Sequence, residues 1–488
     1  MHTKQPHLFL LLSVLLTLAV SLLSCKQETV SSDPNLHLRF SADSVCFDTV
    51  FNQIGSSTQL VMVYNPNRNA LKISNITLRG DYFRINLDGE NDLNRLHDVV
   101  IDGGDSLYLF VRAHIDANTP VFVTDTIRFF VNGNEQDIAL EAYGLKVHVI
   151  RSAANRTDYE SQTFLADSSY LIFDTVFVKG LTRMEAGTSL YMHGGSNLLL
   201  QGGLQALGTS DKPVRIMGDR LDKLFSHVPY RVASGQWGGI YLSQPKEQPL
   251  HRDSLNYVEI LSGNIGLLSQ SEDISLRSHL SLSNSRIHNH ALYGLVLQNV
   301  DADIWNNEFS NCASYCLYLE GGNHALTHNT IASFFGWPNS DLNIHNVGRQ
   351  DVAAVYINNL DKNMAPTAVS MHNCIVTGIR PNNLVVASPL PDYYDGEFVG
   401  NYLRADSLPA AFSRDNRYAG ENDTVFRNVY YRYKEYNYYD FRLDSLSPAR
   451  GIGDSLWVRA PWDMDRNGLS RQNKRPDAGC YEWQPAAK

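Results

Sequence analysis

The stretch Leu280 to Ile331, LSLSNSRIHNHALYGLVLQNVDADIWNNEFSNCASYCLYLEGGNHALTHNTI, decides the fold because one short pattern occurs in it three times. Ile287, Phe309 and Ile331 are spaced 22 residues apart, and the same spacing separates Leu295 from Leu317. Branched and aromatic residues alternate with polar ones, and Asn and Gly interrupt the runs, which is typical of short strands. A fixed period of this length predicts a right-handed parallel β-helix.

Five coils can be aligned on a small residue that is followed by alternating positions. Because side chains in a strand alternate between faces, one set is predicted to stack inward: Ile240, Leu267, Leu295, Leu317 and Val355. The outward stack is then Tyr241, Leu268, Val296, Tyr318 and Tyr356, and a second outward row is Ser243, Gln270, Gln298, Glu320 and Asn358. The alignment predicts a flat face of aromatic and amide side chains.

Pairs of polar residues precede another strand of each coil. These pairs are Asn284-Ser285, Asn306-Asn307, His328-Asn329 and His372-Asn373, which lead into Ile287, Phe309, Ile331 and Ile375. Asn accommodates the left-handed backbone of a tight corner, and stacked amides hydrogen-bond from coil to coil. The pattern predicts a structural asparagine ladder. Because His328 and His372 match ladder positions and the cysteines lack zinc-type spacing, no metal site is predicted.

The coil between Ile331 and Ile375 is 44 residues long, twice the usual step. The extra residues lie between Phe335 and Val352 and include Trp337. Insertions in a solenoid are expected on one flank. Trp337 either overhangs the outer face or packs on the solenoid, and the sequence leaves both arrangements open.

The amino end has a short polar start and an apolar run from Leu8 to Leu23, about 16 residues, whereas a membrane-spanning helix needs roughly 20. Leu22-Leu23-Ser24-Cys25 resembles the bacterial lipobox, in which the cysteine is acylated. The resemblance implies a signal peptide over residues 1–24 and a lipid-anchored tether over 25–36. We therefore expect a membrane partner through acylated Cys25, at the outer membrane or cell surface, with a periplasm-facing orientation left open.

Residues 37–149 contain short alternating strands separated by turn signals, which predicts a β-sandwich. The succession of Tyr64-Asn65-Pro66, Ile73 to Leu78 and Gly104-Asp105-Ser106 resembles the immunoglobulin-like domains of the major-sperm-protein and ASH type. Such domains are usually spacers or protein contacts. A protein partner through this module is therefore an expectation.

Residues 150–169 are predicted to be a linker or an N-terminal cap, 170–415 the β-helix, and 416–488 the final coils and C-terminal cap. Segments typical of bacterial β-helix proteins are Gly202–Val214, Gly218–Asp222 with Gly235–Ile240, Ser447–Gly451 and Arg475–Glu482. Among them, Gly218–Asp222 with Gly235–Ile240 resembles Bacteroidota-type lipoproteins that pair a sandwich with a pectin-lyase-like β-helix. The resemblance implies an all-β chain, an immunoglobulin-like sandwich followed by a right-handed parallel β-helix with a C-terminal cap.

Asp463, Asp465 and Asn467 copy the first half of a calcium loop, but Lys474 stands where that loop requires a bidentate Glu. This pattern predicts a structured turn without calcium, and no other cofactor is expected. The formal charge of −10 becomes about −11 without the leader, whose one charged residue is Lys4. An acidic chain disfavours nucleic acid as a partner.

Whether the predicted outer face could catalyse a reaction depends on its acidic residues. Glycoside hydrolysis generally needs two carboxylates, and the aligned outer face has one, Glu320. Uronate lyases need cationic groups, which the aligned rows lack. Four neighbouring residues would supply catalytic groups if the register were off by one strand: Asp301, Asp303, Glu308 and His290.

Aromatic rings beside amides suit a sugar chain, because rings stack on pyranose faces and amides pair with hydroxyls. The predicted ligand-binding residues are Tyr241, Tyr318, Tyr356, Gln298, Glu320 and Asn358. We therefore expect a membrane-anchored envelope protein whose β-helix binds glycan without catalysis. Three alternatives stay open: a polysaccharide lyase or glycoside hydrolase on the same face, a structural or protein-interaction protein of the envelope, and tyrosines that only cover apolar surface.

Overall fold

The computed structural model of the protein describes residues 29–52, 54–116, 121–225, 228–335, 353–361, 363–388, 395–429, 439–471 and 475–485. This part of the chain is nearly all β. It divides into two compact units with a boundary between Lys146 and Val147. The predicted signal peptide, Cys25, Trp337 and Lys474 lie outside the described residues. No helix in the described ranges combines the length and the apolar character that crossing a bilayer requires.

The first unit is built from two sheets. One contains β1 (Val30–Ser31), β5 (Ala70–Thr77), β9 (Phe122–Val131), β10 (Asn134–Leu145) and β3 (Ser44–Phe51), with β7 (His97–Ile101) paired to β5. The other contains β2 (Arg39–Phe40), β4 (Gln59–Tyr64), β8 (Ser106–Ala113) and β6 (Phe83–Leu87). A short 3-10 helix covers Leu93–Arg95.

Alternation along these strands places one apolar face of each sheet in a shared core. Val61 and Val63 of β4 are buried with Ile73 of β5 and Phe129 of β9. The turn after β4 is stabilised by Asn65, whose buried amide donates to the carbonyls of Asn69 and Ile101, both at 2.9 Å. The unit is therefore a two-sheet sandwich, as the alternating strands predicted.

The second unit contains three long parallel sheets, here called the first, second and third sheet. The first comprises β11 (His148–Ile150), β14 (Ser169–Ile172), β17 (Ser189–Met192), β20 (Val214–Gly218), β25 (Val258–Leu261), β28 (Arg286–His290), β31 (Glu308–Cys312), β34 (Thr330–Ser333), β37 (Ile375–Gly378), β40 (Tyr402–Leu403) and β42 (Arg417–Tyr418). The second comprises β12 (Arg156–Tyr159), β15 (Thr175–Val178), β18 (Leu198–Leu200), β23 (Gly239–Gln244), β26 (Ile265–Ser271), β29 (Tyr293–Gln298), β32 (Leu317–Glu320), β35 (Val355–Asn358) and β38 (Leu384–Ala387). The third comprises β13 (Gln162–Phe164), β16 (Thr182–Met184), β19 (Leu204–Leu207), β24 (Arg252–Asn256), β27 (His279–Ser283), β30 (Asp301–Trp305), β33 (Gly322–Thr327), β36 (Thr367–His372), β39 (Asp395–Val399) and β41 (Ser413–Arg414).

Smaller elements complete this unit. β21 (Lys223–Phe225) pairs with β22 (Val228–Pro229), and β43 (Phe426–Asn428) pairs with β44 (Asp440–Leu443), both antiparallel. Two 3-10 helices cover Tyr230–Val232 and Ser455–Trp457.

The chain visits the three sheets in cyclic order, and successive coils pair in parallel, which is the arrangement of a β-helix. The first coil already begins at β11, so residues 150–169 form solenoid strands where the sequence predicted a linker or a cap. The prediction missed them because β12 places Arg156 and Asp158 outward, and these charges hide the strand pattern.

The predicted register of the second sheet is confirmed. Ile240, Leu267, Leu295, Leu317 and Val355 stack on one another and are buried in one core. Small residues precede them because the coils approach closely there. A Cβ on Gly294 would lie 2.5 Å from the carbonyl oxygen of Cys316.

The predicted ladder lies at the corner between the third and first sheets. The backbone is left-handed at the first residue of three pairs, Asn284 (φ 50°), Asn306 (57°) and His328 (54°), and at the second residue of the fourth pair, Asn373 (53°). The second residue carries the coil-to-coil bonds. The Asn307 Oδ1 accepts from the Ser285 amide at 2.9 Å, and the Asn329 Oδ1 accepts from the Asn307 amide at 3.0 Å.

Beyond Asn329 the ladder continues through a thiol. The Asn329 amide donates to the Cys374 Sγ at 3.3 Å, and the Cys374 amide donates to Asn401 at 2.7 Å. The predicted pair His372-Asn373 is therefore one residue out of register, since Ile331 pairs with Val376 and Ile375 faces outward. Alternation could not separate these two residues, because both faces of β37 are buried.

The C-terminal segment, residues 439–471 and 475–485, is here called the strap. Its apolar residues Phe441 and Leu443 pack with Ala332 of β34 and with Phe334, which directly follows that strand of the first sheet. The side-chain amide of Asn306 donates to the Met464 carbonyl at 2.7 Å. Asn306 belongs to a coil in the middle of the solenoid, so the strap contacts coils well before the last one. The strap therefore covers the flank of the solenoid, whereas the sequence predicted a cap over its end.

The ladder leads to a prediction about stability. We expect Asn329→Ala to lower the free energy of unfolding by about 2–3 kcal/mol, because it leaves the buried Asn307 amide and Ile304 carbonyl without their partner. Denaturant titration compares this variant with Asn323→Ala, which removes an exposed amide from β33. Equal losses in the two variants would contradict a stabilising ladder.

Candidate functional site

The outer face of the second sheet gathers four tyrosine rings, here called the tyrosine face. Tyr318 and Tyr356 lie in adjacent strands with centroids 5.7 Å apart and planes within 4°. Tyr315 contacts both of them, at 5.8 and 5.0 Å, and Tyr293 stacks on Tyr315 at 6.1 Å. All four rings are partly exposed. Burial raises the pKa of Tyr318 to about 12, so its hydroxyl remains a donor at neutral pH.

A row of polar side chains runs beside these rings. The carboxylate of Glu320 accepts from the Gln298 amide at 2.9 Å and from the Asn358 amide at 2.6 Å. Asn358 also donates to the Tyr318 hydroxyl at 3.1 Å. Glu320 is 6% exposed, and it is the single carboxylate in the two outer rows between Tyr241 and Asn358. These bonds fix the row in place and leave little of the carboxylate open to a substrate.

The structure brings together five of the six predicted ligand-binding residues. Tyr241 stands apart, three strands from Tyr318 in the same row, with Leu268 and Val296 between them. Tyr293 and Tyr315 belong to the cluster but were not predicted as binding residues. Their 22-residue spacing, equal to the solenoid period, is the signal that identifies them as neighbours.

Two of the neighbouring catalytic candidates are buried in structural roles. The Glu308 carboxylate accepts from Arg286 at 2.8 Å and from the Tyr481 hydroxyl of the strap at 2.6 Å. Burial alone would raise the pKa of Glu308, but the charges of Arg286 and Arg466 and its hydrogen bonds hold it below its ordinary value. Glu308 is therefore a docking point for the strap.

His290 lies in the interior of the solenoid. Its ring is fully buried and contacts the Ile260 carbonyl at 3.2 Å. Burial lowers the pKa of His290 to about 4, so the ring is neutral at pH 7. It has no route to a ligand on either outer face.

The other two candidates, Asp301 and Asp303, lie on the outer face of the third sheet. Arg277 donates to Asp301 at 2.9 Å, and the His279 ring lies 3.2 Å from Asp303. Burial alone would raise the pKa of Asp301, but the hydrogen bond and charge of Arg277 leave it lowered. The register is as predicted, so these carboxylates do not join the tyrosine face.

The calcium-like segment is a closed turn in the strap. The Asp465 Oδ1 accepts from the amides of Asn467 and Leu469, both at 2.8 Å, and its Oδ2 accepts from the Glu482 amide at 2.8 Å. Three backbone donors thus occupy both oxygens, as expected of a structural turn. Within the described ranges, no group of three His, Cys, Asp or Glu side chains is arranged to hold a metal ion.

No protein-family model matches this chain, and no curated protein matches it. Among solved structures, it is similar to the ASH/PapD-like domain of human CEP192 (PapD-like domain 7), with 9% identity over 25% of this chain and 94% of that one, and a TM-score of 0.18. It is also similar to a family 123 glycoside hydrolase from Clostridium perfringens, with 7% identity over 23% of this chain and 30% of that one, and a TM-score of 0.18. At these TM-scores neither likeness bears on activity.

The docking of Glu308 predicts a pH dependence. Because the folded pKa lies below the unfolded value of about 4.3, ionised Glu308 stabilises the fold above that pH, and the contribution is lost as the pH falls through the folded pKa. We expect Glu308→Gln to be destabilised by about 3 kcal/mol at pH 7, with the difference narrowing from pH 5 toward pH 2. Denaturant titrations at several pH values measure it, with exposed Glu247→Gln as control. A pH-independent difference would contradict the ionised network.

Proposed function

We propose that this protein is a lipid-anchored envelope protein of the Bacteroidota type, whose right-handed β-helix binds a glycan on the tyrosine face without catalysis. The observation that carries the proposal is the gathering of four partly exposed tyrosine rings beside a row of ordered amides on one flat sheet face. Aromatic rings offer apolar surface to pyranose faces, and hydroxyls and amides pair with sugar hydroxyls.

The stacking of the tyrosines decides where a sugar ring can bind. Tyr318 and Tyr356 cover each other on one side because they stack along the solenoid axis. The next residue in the row after Tyr356 is Val385, so among the described residues no ring follows Tyr356 in this row. We place the first sugar at this uncovered ring face, with the chain of the glycan running along the axis.

The hydrogen bonds of Glu320 support the proposal of binding without reaction. A glycosidase generally needs an acid and a base or nucleophile across the scissile bond. Between Tyr241 and Asn358, the two outer rows of the described strands offer one carboxylate, and two amides donate to it. A lyase or glycosidase on this face is therefore the less supported alternative, and release of reducing ends from a glycan panel would favour it.

The sandwich and the amino end complete the proposal. The lipobox-like Leu22-Leu23-Ser24-Cys25 supports attachment through acylated Cys25. The sandwich supports the proposal of an immunoglobulin-like spacer that offers a surface to a protein partner. A protein that only supports the envelope would share both features but would not retain glycan.

The tyrosine face predicts a specific loss of binding. We expect Tyr318→Ala with Tyr356→Ala to weaken retention on a glycan affinity gel at least about tenfold, because the open ring face is lost. Tyr108→Ala, which removes an exposed tyrosine from the sandwich, serves as the control. Unchanged retention of a folded double variant would show that the tyrosines only cover apolar surface.

The lipid anchor predicts a change of location. We expect Cys25→Ser to move the protein from the membrane fraction to the soluble fraction, because the acyl chains are attached through the thiol. Fractionation of cells expressing each form measures this shift, with Cys46→Ser as the control for loss of another thiol. Membrane retention of the Cys25 variant would contradict lipidation at this position.

A further inference from the structure

The outer face of the third sheet carries a groove of about 410 Å³ across β30, β33, β36 and β39. Its floor is formed where the outward rows narrow to Ala325 and Ala368. Longer side chains stand on both sides of these alanines: Asp303 and Ser370 in one row, Asn323 and Asp395 in the other. The depression therefore arises from two small residues, Ala325 and Ala368, at diagonal positions in neighbouring outward rows.

The polar groups along one side of this groove are held in fixed positions. Asp301 accepts from Arg277 at 2.9 Å and from the Asn323 backbone amide at 2.9 Å. Asp303 lies 3.2 Å from the ring of His279 and keeps 57% of its side chain exposed. Each carboxylate thus has a set orientation and oxygen lone pairs left for a ligand.

The opposite side offers groups without a competing bond. Ser370 and Asp395 have no side-chain hydrogen bond with any residue in the described ranges, although both line the groove. Asp395 is exposed and Ser370 partly exposed. A ligand that bridges the groove therefore finds ordered acceptors on one side and unengaged ones on the other.

An aromatic pocket of about 220 Å³ adjoins the groove and shares Asp303 and Ala325 with it. It is lined by the indoles of Trp305 and Trp462, and Trp462 packs against Trp457 with ring centroids 5.3 Å apart. Trp462 belongs to the strap, so the strap supplies one wall of this pocket. Asp303 therefore lies between the polar acceptors of the groove and the indole rings of the aromatic pocket.

We infer that this groove is a second saccharide site, which binds a pyranose chain lacking acidic groups. Paired carboxylate oxygens accept from neighbouring sugar hydroxyls, and an indole provides the apolar surface on which a pyranose face stacks. The combined space is of the size that small-ligand sites use. Asp301, Asp303 and Asp395 outnumber the one Arg, so a uronate or sulfated sugar is repelled and a neutral or amine-bearing sugar is accepted.

The test uses the full mature chain in the Tyr318→Ala, Tyr356→Ala background, so that binding at the tyrosine face does not contribute. Cellohexaose, a chitosan hexamer and a galacturonic acid hexamer are titrated by calorimetry. We expect binding of one or both of the first two and none of the third. Added Ala325→Gln fills the floor, and added Asp395→Asn removes an acceptor. Each is expected to weaken binding at least about tenfold, whereas exposed Ala154→Gln has no effect.

Two results would overturn the inference. One is that neither non-acidic hexamer binds, or that Ala325→Gln and Asp395→Asn leave the binding intact. The other is tighter binding of the galacturonic acid hexamer than of the non-acidic ones. The two tyrosine substitutions are present in every form titrated here, so this test measures the groove alone. The proposed function is tested separately, by comparing glycan retention of the wild-type chain with that of the tyrosine variant.

Discussion

The hydrogen-bonded ladder at the corner between the third and first sheets sets the geometry on which the solenoid depends. Asn307 and Asn329 are fully buried, and each satisfies a backbone amide of the preceding coil. A buried amide without a partner is costly, so successive coils are held at one height and in one register. The left-handed residue before each ladder position turns the chain sharply enough to keep that corner tight.

Because the register is fixed, equivalent positions of successive coils form straight rows on each sheet. The three outer faces then differ only in the side chains that occupy these rows. On the first sheet the rows carry apolar residues and Glu308, which the strap buries. On the second sheet they carry tyrosines and amides, and on the third they carry carboxylates beside alanines. One backbone plan therefore yields a packed flank, an aromatic face and a polar groove.

The 22-residue period was enough to predict the register of the second sheet. It aligns the inward residue Leu295 with Leu317 and the outward polar residue Gln298 with Glu320. The same reasoning assigned Ile375 to the wrong face. The strap covers the first sheet, so both faces of β37 are buried, and Ile375 and Val376 are both apolar. It also could not locate Glu308, whose partner Tyr481 lies 173 residues away. The third-sheet groove was not predicted because it depends on Ala325 and Ala368, one in each of two neighbouring outward rows, and no sequence period marks these positions.

The positions and contacts of the carboxylates bear on the proposal that both faces bind a ligand without catalysis. Asp301 and Asp303 are two residues apart on one strand, which places them about 7 Å apart, within the span that glycosidase pairs use. A glycosidase also needs one carboxyl group that stays protonated until it reaches the leaving oxygen. The pKa of Asp301 is lowered through its bond to Arg277, so this group stays ionised. Glu320 is held by Gln298 and Asn358. Asp301 and Glu320 thus both accept hydrogen bonds from neighbouring side chains of the protein, which supports the proposal of binding over that of catalysis.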